Sequence, residues 1–266
     1  MDDDLRRRLD ESGYDGPGFA ADYDRFRPRP PAVLLELLPL LVGVDRLRLV
    51  VDLGSGTGLS ARAWTELADE VVAIEPNDAM RTFAERATTA AHIRYLGTSS
   101  YETGLPNASA DLVTAAQSFH WMRPERVFPE IARILRPGGV FCAYNYFVLQ
   151  TPLWEPEAVL EFVRARKTKL RARLGLDREP GVPLSRALLE DSGAFRRTNE
   201  LVLQSVEQGD GERLIGFALS EGSMRTLLEA GTTEEDVGLD RLRAVASTIP
   251  DAIPWWIGYR AWIGLR

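Results

Sequence analysis

The sequence predicts an α/β fold, a mostly parallel sheet with helices on both faces and a helical cover. Three observations predict it. Across residues 47–146, short strand-type runs alternate with helix-type runs. Those strand runs are apolar almost throughout, the pattern of strands buried on both faces. A loop with three glycines, Gly54, Gly56 and Gly58, follows the first run, and an acid, Glu75, ends the second.

The elements follow in order. "RLVVDL" predicts a strand and "GLSARAWTELA" a helix. "EVVAIE" predicts a strand and "NDAMRTFAERAT" a helix, with Asn77 or Asp78 placed to cap it. "HIRYLG" and "DLVTAAQ" read as strands, "PERVFPEIARIL" as a helix, and "PGGVFCAYNY" as a strand. Beyond Tyr146 the pattern changes. Residues 153–191 and 210–249 read as helices, "TNELVLQSVE" as a strand, and "IPWWIGYRAWIGLR" as a final strand. The expected layout is one domain: an N-terminal lid and helix at 1–46, a ligand-binding core at 47–147, a cover at 148–250 and the final strand at 251–266. "GYDGPGFAADYDRFRPRPP", with its glycines, prolines and aromatics, suits a segment that folds over a ligand rather than a rigid helix.

Composition narrows the function classes. A chain of 266 residues suits one large domain that needs no disulfides. The single cysteine, Cys142, makes no bridge and argues for a reducing compartment, hence a cytoplasmic protein. "MDDDLRRRLDESG" has no apolar signal region, and "PAVLLELLPLLVGV" is too short and too broken to span a membrane. A net charge of −7 disfavours a nucleic-acid partner for the whole chain. The basic run "RARKTKLRAR" reads as a solvated helix face; the alternative is recruitment of an anionic substrate or RNA. No acid cluster sits at the strand ends to hold a metal ion.

Glycines permit positive φ and let a ligand approach backbone where a Cβ would clash. In an open parallel sheet, ligands sit beyond the carboxyl ends of the strands. The helix starting near Gly58 would offer free N–H groups to an anionic group. A carboxylate at Glu75 can accept hydrogen bonds from two vicinal hydroxyls, as on a ribose. The separation of about 20 residues between loop and acid fits a nucleoside-binding unit. A nicotinamide dinucleotide fits that much, but its G-x-G-x-x-G fingerprint is not met, because Leu59 stands where the last glycine belongs. Asp52 would repel a pyrophosphate and can serve an ammonium group. A ligand with a carboxylate, an ammonium and a ribose is an amino acid joined to a nucleoside.

"VVDLGSGTGLSA", "VVAIEPNDAM", "GTSSYETGLPNASADLVTAAQSFHWM" and "ILRPGGVF" resemble, in this order, the motifs of a class I S-adenosylmethionine-dependent methyltransferase. Within that superfamily the chain is similar to the small-molecule branch that includes trans-aconitate methyltransferase-like proteins. The resemblance covers roughly residues 16–147. It implies a Rossmann-like seven-stranded sheet with the last strand antiparallel, S-adenosyl-L-methionine as methyl donor, and a small-molecule substrate. It places Asp52, Gly54, Ser55, Gly56 and Gly58 at the methionine part of the cofactor, Glu75 at the ribose, and Pro76 and Met80 against the adenine. The position that usually offers an Asp to the adenine amine is Thr98 here, followed by Ser99 and Ser100. Tyr23, with Arg27 nearby, would close over the cofactor, and Gln117 would line the cleft.

Methyl transfer needs a base only if the nucleophile arrives protonated. His120, in "QSFHWM", is the candidate base, with a pocket-shaping role as the alternative. His92 opens the third strand at the far end and reads as structural. Trp121, Tyr144, Tyr146 and Trp154 fall where they could line a substrate pocket and face a cationic sulfonium, or else pack the core. No Asn-Pro-Pro-aromatic motif follows the fourth strand, which disfavours methylation of adenine or glutamine amino groups. The competing readings are a macromolecule methyltransferase using the basic helix, and a cofactor-binding protein or cyclase without methyl transfer.

Overall fold

The computed structural model describes residues 13–16, 18–176 and 183–266. Residues 1–12 and Pro17 of the expected lid, and residues 177–182 of the expected cover, lie outside the described residues. Five parallel strands come first along the sheet: β1 (Leu47–Leu53), β2 (Ala68–Ile74), β3 (Ile93–Leu96), β4 (Ala110–Ala116) and β5 (Leu135–Gln150). Two more, β6 (Arg197–Gly209) and β7 (Ile253–Leu265), complete a seven-stranded sheet of order β3-β2-β1-β4-β5-β7-β6. β7 inserts between β5 and β6 and runs antiparallel to both. The Rossmann-like α/β architecture expected from the sequence is the one observed.

The order reverses direction at β1: β2 lies on one side of it and β4 on the other. That switch point leaves a crevice at the carboxyl ends of β1 and β4. The central strands β1, β2 and β4 are buried on both faces, and their residues alternate between two cores. Leu49, Val51 and Leu53 pack on one side with Phe119, Phe128 and Phe141, and Val50 packs on the other with Trp64 and Leu112.

The helices are α1 (Phe19–Phe26), α2 (Ala32–Val42), α3 (Leu59–Ala63), α4 (Asp78–Ala87), α5 (Pro124–Ile134), α6 (Trp154–Leu174) and α7 (Arg186–Asp191), then α8 (Gly211–Leu219), α9 (Gly222–Glu229), α10 (Glu234–Val237) and α11 (Leu239–Ala246). Side-chain caps fix several starts: Asn77 accepts from the Met80 N–H, Asp210 from the Arg213 N–H, and Thr233 forms a reciprocal capping box with Asp236. α6 and α8–α11 pack together as the cover.

Three elements differ from expectation. The helix after the glycine loop stops at Ala63 instead of running on to Ala68. Beyond it the chain tightens into i→i+3 turns, with the N–H of Trp64, Thr65 and Leu67 donating to the carbonyls of Ala61, Arg62 and Trp64, and Arg46 holds the carbonyls of Glu66 and Ala68 where the chain enters β2. The lid segment holds a regular helix, α1, because "FAADYDRF" sets Phe19 and Phe26 on one buried face. The basic run of α6 is solvated on one face, at Arg166, Lys169 and Arg173, and turned inward on the other. Lys167 pairs with Glu221, Arg166 donates to the Asp236 carbonyl at 2.6 Å, and Arg171, 8% exposed, bonds Thr226 and the Ser223 carbonyl. Among the described residues, no helix is long and apolar enough to cross a membrane.

Candidate functional site

An open cleft lies at the switch point. Its floor is the loop after β1. Gly54 has φ +67°, and a Cβ there would come within 2.7 Å of the Ser118 Cβ. Ser118 Oγ in turn donates to the Leu53 carbonyl at 2.6 Å, so the tips of β1 and β4 touch through that glycine. The Gly54 and Ser55 N–H groups donate to the Ile74 carbonyl at 2.8 and 3.0 Å, which ties the loop to the end of β2.

Glu75 follows directly and is 6% exposed. Its two carboxylate oxygens accept from the Gly56 N–H at 2.7 Å and the Asn77 N–H at 2.8 Å. Burial outweighs these bonds and pushes its carboxyl up to about 7. Asp52 lies beneath the loop, fully buried. One of its oxygens accepts from Thr114 Oγ1 at 2.7 Å; the other has no partner. Burial pushes Asp52 up to about 7 as well. The buried polar atoms Ser55 Oγ, Thr57 Oγ1 and Gln117 Nε2 also lack partners among the described residues. Gln117 sits at φ +54°, a costly conformation for a residue with a side chain, where β4 ends. Buried polar groups are normally satisfied, so this concentration around one loop marks a place built for a polar ligand.

The wall opposite is aromatic. Tyr14 stacks on Phe19 at 5.1 Å and meets Trp121 edge-on at 5.9 Å; Tyr23 lies 6.2 Å from Tyr14. Asp15 accepts from Asn77 Nδ2 at 2.6 Å, which straps this segment to the residue beside Glu75. Burial pushes the Tyr23 hydroxyl far up, so it is held protonated. The far end, toward the cover, is formed by Arg27, Pro28, Pro30, Tyr146 and Tyr259, and Tyr144 lines the cleft nearer the glycine loop. Tyr144 shares a 3.1 Å hydrogen bond with Ser60, and Tyr259 donates to the Arg29 carbonyl at 2.7 Å. Burial holds both of these hydroxyls protonated too.

Most residues singled out in the sequence border this cleft. Gly54, Ser55, Gly56, Glu75, Pro76 and Met80 line one side; Ser99, Ser100 and Gln117 line the next; Tyr23, Trp121, Tyr144 and Tyr146 line the rest. Five sit elsewhere. Asp52 is under the floor. Gly58, at φ +84°, starts α3, and a Cβ there would strike the Tyr95 hydroxyl at 2.2 Å, which accounts for a glycine without a ligand. α3 is only five residues long, too short to offer the expected anion site. Thr98 precedes the lining serines. Trp154 opens α6 at 88% exposure. His120 lies exposed on the 3₁₀ turn Phe119–Trp121, packed beside Trp121 and outside the cleft lining, which does not favour the base role. Sequence reading missed Tyr14, Ser60, Tyr101 and Tyr259. Tyr14 carried a signal, an aromatic in the same glycine-rich segment as Tyr23. Among the described residues, no group of three or more His, Cys, Asp or Glu gathers to hold a metal ion.

Residues 51–143 match the family model of a methyltransferase domain. The matched segment runs from β1 to β5 and carries every loop described above except the N-terminal wall. An uncharacterised methyltransferase of Mycobacterium tuberculosis is 41% identical over 118 residues, 44% of this chain and 46% of that protein. A Saccharomyces cerevisiae protein described as an S-adenosylmethionine-dependent methyltransferase is 30% identical over 133 residues, 48% of this chain and 45% of its own. The chain thus spans about half the length of the curated relatives it matches. A solved structure described as a type II methyltransferase, from Anaeromyxobacter dehalogenans, superposes with TM-score 0.66 at 24% identity, covering 90% of this chain and 98% of that one. The Haemonchus contortus phosphoethanolamine N-methyltransferase 2, solved with S-adenosylhomocysteine, gives 0.52 at 20% identity, covering 97% and 59%. The sheet is therefore a class I methyltransferase fold.

Proposed function

We propose that the chain transfers a methyl group from S-adenosyl-L-methionine to a small-molecule acceptor. One observation carries this reading: the buried carboxylates of Asp52 and Glu75 flank the 54–56 backbone, surrounded by buried polar atoms without partners. The residues present fit the cofactor. Glu75 would accept from both ribose hydroxyls, the unpartnered Ser55 hydroxyl and Gln117 amide would serve the amino-acid end with the Asp52 charge beneath them, and Pro76 and Met80 would pack on the adenine beside Ser99 and Ser100. Bound there, the cofactor supplies an electrophilic methyl on sulfur, and the sulfur leaves as a neutral thioether.

The chain's own contribution is chiefly positioning. Trp121, Tyr23 and Tyr144 give the reacting centre an aromatic wall suited to a sulfonium charge. The strap through Asp15 and the aromatic cluster around Tyr14 would exclude water. Tyr23, Tyr144 and Tyr259 are held protonated, and His120 lies outside, so the acceptor atom enters already unprotonated.

Calorimetry with S-adenosylhomocysteine tests the reading. One-to-one binding that Glu75→Ala weakens by about 2 kcal/mol or more is expected, from the loss of charge-assisted hydrogen bonds. Binding of NADH in its place would refute it.

A further inference from the structure

Arg27 follows α1 and carries the only guanidinium among the described lining residues. It is 9% exposed. One terminal nitrogen donates to the Tyr146 hydroxyl and the other to the Ser220 carbonyl at 2.6 Å. The guanidinium lies 5.0 Å from the ring centres of both Tyr23 and Phe217. These partners are all neutral, and Nε–H, also buried, has none. A cation out of water without a counter-charge is costly unless an anion joins it.

Two more cations approach from α6. Arg164 is partly buried and close enough to feel the charge of Arg27. Lys167, paired with Glu221, feels both arginines, and burial together with these like charges brings it down to about 8. The single acid among the described lining residues is Glu75, at the glycine-loop end. The cleft is therefore polarised, with a carboxylate where the nucleoside would lie and positive charge where the acceptor would lie.

We propose, on the basis of the methyltransferase reading above, that this far end binds an oxyanion, a carboxylate or phosphate carried by the acceptor. Arg27 Nε–H and the Tyr146 O–H are its direct donors, and Arg164 is the flanking charge. The Tyr146 hydroxyl accepts from Arg27 and so keeps its own proton to donate. Charge-assisted bonds of this kind are strong and directional. A neutral acceptor of the same shape would leave Arg27 buried and unpaired, so the site selects against it.

The test is calorimetry on the full chain loaded with S-adenosylhomocysteine, using inorganic phosphate and succinate as probes and sodium chloride as the ionic-strength control. At least one oxyanion is expected to bind one to one with Kd of about 1 mM or tighter. Whichever binds names the headgroup class. Arg27→Met is expected to abolish binding, and Arg164→Gln and Tyr146→Phe each to weaken it about threefold to tenfold. If Arg27→Met does not fold, the other two variants decide. Absence of binding by both anions up to about 20 mM, or binding that Arg164→Gln and Tyr146→Phe leave intact, overturns the proposal. If S-adenosylhomocysteine itself does not bind, the methyltransferase reading fails instead, and the same titration on the unloaded chain still decides the anion site.

Discussion

Replacing Glu75 with Gln separates the two costs that its carboxylate carries. Gln keeps the shape but can accept from only one of the Gly56 and Asn77 N–H groups through its single oxygen, so it loses a hydrogen bond at every pH. The charge behaves differently. Burial raises the carboxyl from 4.5 to about 7 in the folded chain. A raised carboxyl contributes stability that is fully present below the unfolded value and lost as pH rises through the folded one. At pH 8 both states are ionised and nearly the whole gap of about 2.5 pH units is felt, whereas at pH 5 only about 0.6 has accrued. The change between the two conditions is worth roughly 2–3 kcal/mol at ~1.36 kcal/mol per unit. Relative to the parent, Glu75→Gln is therefore expected to gain roughly 2–3 kcal/mol in ligand-free stability between pH 5 and pH 8. The lost hydrogen bond cancels in that difference, and Asp52, whose carboxyl the Glu75 charge helps to raise, is relieved in the same direction. Urea unfolding of both proteins at both pH values measures it. A stability difference that stays constant within about 0.5 kcal/mol would show that Glu75 is not a strained buried anion, and the electrostatic case for its ligand would fall with it.

Gly54→Ala is expected to cost about 2 kcal/mol or more in urea unfolding, because a Cβ at φ +67° meets Ser118 at 2.7 Å; wild-type stability would mean the β1 and β4 tips are not in contact. With an accepted substrate in hand, His120→Ala should keep turnover within about tenfold of the parent, since the imidazole lies outside the cleft; a loss of about 10²-fold or more would restore the base role. Hydrogen exchange in residues 18–31 should slow when S-adenosylhomocysteine is added, as the wall around Tyr14 and Tyr23 closes; identical exchange with and without ligand would make that wall a fixed part of the site.

The parallel core was legible because its signals are local. β1, the glycine loop and Glu75 are adjacent in sequence, and each is dictated by what its own residues can do. The rest depends on partners far away in the chain. α3 ends early because the chain tightens into i→i+3 turns that deliver Ala68 to its place beside Leu47 in the sheet, which no period in "GLSARAWTELA" announces. The glycine at 58 reads as part of a ligand loop, yet its neighbour is the Tyr95 hydroxyl. The charge on Arg27 gains its meaning only when Ser220 and Tyr146, more than a hundred residues away, close around it. "RARKTKLRAR" looks like a solvated face because the acceptors for Lys167 and Arg171 come from a different helix.

The placement of β7 between β5 and β6 imposes an order of events on the newborn chain. β6 pairs with β7 along its full length, from Arg197 to Gly209, and with no other strand. It emerges before its partner, so it must wait as an unpaired strand while α8–α11 are made. Even in the finished sheet β6 is an edge strand, with Val202 and Val206 exposed. Only when Ile253–Leu265 arrives and docks on β5 is there a template for β6 to zip onto. The same arrival brings Tyr259 to the cleft, so the acceptor end is the last part of the site to exist. A chain ending before residue 253 would keep the glycine loop, Arg27 and Tyr146 but lack Tyr259 and the only strand that β6 pairs with.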